Sequence, residues 1–198
     1  EHDKTLGVPA VLAPRKPIEH PSTETANLLL DRYRELIAAM AGAAVARAWD
    51  QGRLSAPVEG GLPFHAEVSG IRGRSTGRAP EEITRAQQEI ENAFTAIRAD
   101  PRTQLGPLAL LGDEFALSDL AQLIVLVVAA PALWGELARL YGIVANDVGR
   151  PLCDELLITQ IIEPYARRHE IANELDRDAP LVKNGIIYSL GGQPRMPF

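Results

Sequence analysis

The side chains able to bind a metal, exchange protons or attack an electrophile are few and scattered in this chain. The four histidines, His2, His20, His65 and His169, stand alone, with no second His, Cys or paired carboxylate at metal-ligand spacing. A structural zinc needs four such ligands and a catalytic one about three, so no metal site is expected; His65 and His169 are read as surface or half-buried residues. The single cysteine, Cys153, would need a neighbouring base and an exposed, electropositive setting to act as a nucleophile. Its place near the start of an apolar helix predicts a small buried group instead. The acidic pairs Asp113-Glu114 and Asp154-Glu155 are adjacent, and adjacent residues on a helix point in different directions. They are read as helix N-terminal carboxylates that favour the helix dipole. The phosphate-cradling pattern GxxxxGK[ST] is absent, and the nearest glycine cluster, residues 70–78 (GIRGRSTGR), lacks the lysine and follows no predicted strand. It is read as a loop whose arginines, with Arg72, Arg74, Arg78 and Arg85 in the series, could touch an anionic partner, although Glu81 and Glu82 stand among them. No catalytic, cofactor-binding or metal-binding residue is assigned.

Whatever positions these groups is expected to be helical. The chain has 198 residues, enough for one domain or two small ones with a real core. Hydrophobic residues make up 46% and charged residues 23%, but aromatics only 5%, and alanine and leucine dominate the apolar set, a balance that favours helix over sheet. One cysteine rules out an internal disulfide framework and fits a reducing compartment, so the cytoplasm is the expected location. Residues 1–20 are polar and carry prolines, without the basic start and apolar stretch of a secretory signal. The longest strongly apolar run, residues 123–133, includes Pro131 and is eleven residues long, against the roughly 20 a spanning helix needs; it reads as a buried helix, and no membrane association is expected. The formal net charge of −6 opposes a sequence-independent grip on phosphate backbones.

Along the chain, residues 1–21 hold Pro9, Pro14, Pro17 and Pro21 and few bulky apolar groups, and are read as an extended lead-in. Residues 22–104 form a helical region with a long loop at 52–79. Its first helix, over residues 23–50, carries Leu29, Tyr33, Leu36, Met40, Ala44 and Trp49 on one face, with Gly52 after its end. A second begins at Pro80 with Glu81 and Glu82 in its first turn, presents Ile83, Ala86, Ile90, Phe94 and Ile97 as a stripe, and ends at Asp100-Pro101. Both Trp49 and Trp134 fall at helical apolar spacing and are expected in the core.

Residues 105–198 read as a separate unit. A short apolar turn at 107–111 is followed by Ser118, the expected N-cap of a helix to about Ala130, with Pro131 starting another that runs to Tyr141 before Gly142. Gly149-Arg150-Pro151 is expected to open a helix through Leu152, Leu156, Leu157 and Ile161 to Pro164, and one more covers about residues 167–177. A single turn after Pro180 then leads to residues 185–190 (GIIYSL), whose β-branched and aromatic content predicts a strand, with Gly191-Gly192 placed to turn it into a hairpin.

Several of these segments together carry a resemblance. Residues 108–118 (LALLGDEFALS), the apolar helix ending in 128–133 (VAAPAL), 137–141 (LARLY), 146–152 (NDVGRPL) and 179–187 (APLVKNGII) occur in one order. In that order they resemble the winged-helix-like region upstream of the ATPase module in a group of large bacterial AAA+ proteins. The resemblance spans about residues 105–190. With the helices read above, the expected fold is mainly α: a helical N-terminal part with a long loop, followed by a bundle with a short β-hairpin that the resemblance makes winged-helix-like. The resemblance further implies a non-catalytic, substrate-binding, partner-binding or regulatory region of an AAA+ ATPase whose ATP-binding module lies beyond residue 198. ATP and Mg²⁺ are expected only for that module, with no cofactor in this segment, a protein as the partner, and a parent protein that forms a homo-oligomeric ring. A winged-helix DNA-binding regulator is the rival, since such a domain places one helix in the major groove. From residue 139 onward, however, there are seven Arg plus Lys against eight Asp plus Glu, so no basic footprint emerges. An enzyme with a site assembled from residues distant in sequence ranks last, because no nucleophile–base pair is visible.

Overall fold

Ser22 starts the first helix by accepting a hydrogen bond on Oγ from the Thr25 N–H at 3.2 Å, which satisfies one of the orphan amides of a helix N-terminus. The structure, a computed structural model, describes residues 22–54, 80–101, 103–146 and 153–188. Helix α1 (Thr23–Asp50) ends where Gly52 takes a φ of +70° and the Arg53 and Leu54 amides turn back onto the Ala48 carbonyl. Its 28 residues extend about 42 Å at the helical rise, and Leu29, Tyr33, Leu36, Ile37, Met40, Ala44 and Val45 are buried along it. That stripe makes α1 the spine of the fold.

Helix α2 (Pro80–Ala99) packs against α1, as do α4, α5 and α6. Ile97 is buried and Ile90 and Phe94 are half-buried, as the predicted stripe requires. A 3₁₀ turn (Thr103–Leu105) leads into α3 (Pro107–Phe115), which has Pro107 in its first turn. The Thr103 hydroxyl donates a buried 2.5 Å bond to the Ile97 carbonyl and so pins the end of α2. The apolar stretch at 107–111 is therefore a full helix; it stops where Ala116 adopts a left-handed φ of +51° and the Leu117 amide bonds the Gly112 carbonyl.

Ser118 caps α4 (Asp119–Leu133) through the Ala121 amide, as expected, and its hydroxyl also donates to Glu174 at 2.5 Å. Pro131 lies inside α4, so the predicted break at this residue is displaced to Trp134, whose extended backbone (φ −135°, ψ 108°) separates α4 from α5 (Gly135–Val144). The two axes meet at 113°. No described helix is long and apolar enough to cross a membrane. Helix α6 (Glu155–Ile162) is capped by Asp154, which accepts from the Leu157 amide at 2.8 Å; Gly149-Arg150-Pro151, expected to open this helix, lies outside the described residues. Helix α7 (Arg168–Glu174) is shorter than the predicted 167–177, and α8 (Pro180–Lys183) is a single turn that fully buries Leu181.

The fold is mainly α, and no strand occurs among the described residues. The segment expected to begin a strand at 185 turns back instead: Gly185 has a φ of +68°, and the amides of Ile186 and Ile187 both donate to the Leu181 carbonyl. Those donors are then not free to build a ladder. The remainder of that segment and Gly191-Gly192 lie outside the described residues, as do residues 1–21 and 55–79. A continuous buried cluster runs from Leu29 and Met40 of α1 through Ile124, Tyr141, Ile161 and Ile171 to Leu181. Helix α1 thus packs across the boundary read between residues 104 and 105.

Candidate functional site

Among the described residues, the groups singled out for chemistry are not brought together. Of the histidines only His169 is among the described residues, and it is exposed on α7. No cluster of three or more His, Cys, Asp or Glu able to hold a metal occurs among the described residues. Asp154 and Glu155 do sit at a helix N-terminus, but Asp113 and Glu114 lie in the last turn of α3. The short turn expected at 107–111 continues through them, which puts them at the end where the dipole disfavours negative charge. The Gly-Arg cluster at 70–78 lies outside the described residues, and Trp49 and Trp134 pack half-buried against the core.

Cys153 is half-buried, and its Sγ approaches the Val127 carbonyl at 3.7 Å. Burial, reinforced by the Asp154 carboxylate, pushes the thiol up to about 12, so it stays protonated and unreactive at neutral pH. The same carbonyl receives the Tyr141 hydroxyl at 2.8 Å, and burial also raises this phenol well above its ordinary range. These groups are structural: they satisfy one buried oxygen.

Several guanidinium groups are committed to local partners. Arg47 reaches from α1 to the Gln160 carbonyl at 2.7 Å, and burial lowers its pKa. Arg98 pairs with Asp119 and lies 5.7 Å from the Phe94 ring centroid. These residues border a small polar cavity of about 270 Å³ that also holds Tyr33, Asp113 and Gln122. Burial raises the Tyr33 phenol, and Arg98 opposes the rise.

A wide concavity lies between α1 and α2 and has a volume of about 1160 Å³. On the α1 side it is lined by Leu36, Ala38, Ala39, Gly42 and Ala43, and on the α2 side by Ala86, Ile90, Ala93 and Ile97. From Arg32 to Ala43 the α1 wall rises about 16 Å, three helical turns. Arg32 and Asp100, both on the lining, join the two helices through a 2.8 Å ion pair. The facing side chains are mostly small, with alanines and Gly42 on α1 and alanines beside Ile90 and Ile97 on α2. The groove's signal in the sequence is the run of alanine and glycine at 38–46 (AAMAGAAVA), which by local pattern alone reads as ordinary helix. Such a surface offers shape and apolar area, and its described lining residues include no nucleophile and no metal-ligand set. The chain matches no known protein-family model, no curated protein and no solved structure.

Proposed function

We propose that this chain is a non-catalytic partner-binding region, and that it serves as the N-terminal region of a bacterial AAA+ ATPase that acts in the cytoplasm as a homo-oligomeric ring. The observation that carries partner binding is the open groove between α1 and α2, whose lining is mostly apolar and whose volume of about 1160 Å³ exceeds the roughly 300–1,000 Å³ of small-molecule sites. Association with an ATPase is supported by the ordered resemblance of residues 105–190. On this reading the helices hold a protein substrate or adaptor, while ATP and Mg²⁺ belong to a module beyond residue 198.

Nucleotide binding separates the two parts of the molecule. A fluorescent ATP analogue titrated with Mg²⁺ is expected to bind the parent protein and to leave the isolated 198-residue chain unlabelled. Binding by the isolated chain, or no binding by the parent, overturns the assignment.

A further inference from the structure

We draw no further inference here: the strongest candidate, the mostly apolar groove between α1 and α2, carries none, because nothing among the described residues shows what covers it.

Discussion

The Tyr141 hydroxyl donates a 2.8 Å hydrogen bond to the carbonyl of Val127, four residues before Pro131 on α4. In an α-helix that carbonyl would accept from residue 131, but proline has no N–H to give. The phenol, helped by the Cys153 thiol at 3.7 Å, takes the place of the lost donor. This substitution of donors explains how α4 continues through Pro131 to Leu133, and it ties α5 to α4 across the 113° bend.

Tyr141→Phe is therefore expected to destabilise the fold by about 1–3 kcal/mol, the cost of a buried carbonyl deprived of its main partner. In a Pro131→Ala background the alanine amide can bond Val127 itself, and the cost of Tyr141→Phe should fall by at least half. Urea unfolding of the four proteins of this double-mutant cycle measures the coupling. Additive effects would mean that the two residues act independently.

Cys153 makes stability fall with alkaline pH. Its thiol is raised to about 12 in the fold, whereas in the unfolded chain it ionises near 8.5. Below about 8.5 both states keep the proton and the thiol's contribution is complete. Above that pH the unfolded state alone loses it, so stability declines by about 1.4 kcal/mol per pH unit until the folded thiol also ionises. Between pH 8.5 and about 9.2, where the tyrosines of the unfolded chain are still mostly protonated, this amounts to up to about 1 kcal/mol. Cys153→Ala should flatten the decline, as followed by urea midpoints across that range; a profile unchanged by the substitution would place its cause elsewhere.

Gly42→Ala is expected to raise stability by about 0.5–1 kcal/mol, because the added methyl group meets no atom of the described residues within 4 Å. Thermal unfolding followed by circular dichroism reads the gain directly. A loss of stability would mean that the α1–α2 groove is filled in solution.

On α6, Thr159 is buried and its hydroxyl has no protein hydrogen-bond partner among the described residues. Val has the same shape without the polar atom. Thr159→Val should accordingly leave stability unchanged or increase it by up to about 1 kcal/mol, since removing an unpaired buried hydroxyl removes its desolvation cost. A loss above about 1 kcal/mol in urea unfolding would show that the hydroxyl is paired.

Helix α1, the stripe of α2 and the Ser118 cap were legible because each rests on local signals: an apolar period, a Pro at a start, a serine before a run. Pro131 misled because the rule that proline ends a helix assumes that nobody else serves the freed carbonyl, and Tyr141 lies ten residues further along the chain. The same locality explains GIIYSL: β-branched content favours a strand, but the half-buried Ile186 and Ile187 follow Gly185 back onto Leu181. The groove was legible only as composition. An alanine run reads as good helix former, and whether such a face is covered or left open depends on what packs opposite it.

The most direct measurement of the central claim is the sequence of the parent reading frame past Phe198. The ATPase assignment requires, within the next few hundred residues, a strand followed by GxxxxGK[ST] and, further on, a strand ending in an acidic residue, the parts that cradle phosphates and hold Mg²⁺. A stop codon soon after Phe198 would contradict it and leave a free-standing helical binding protein.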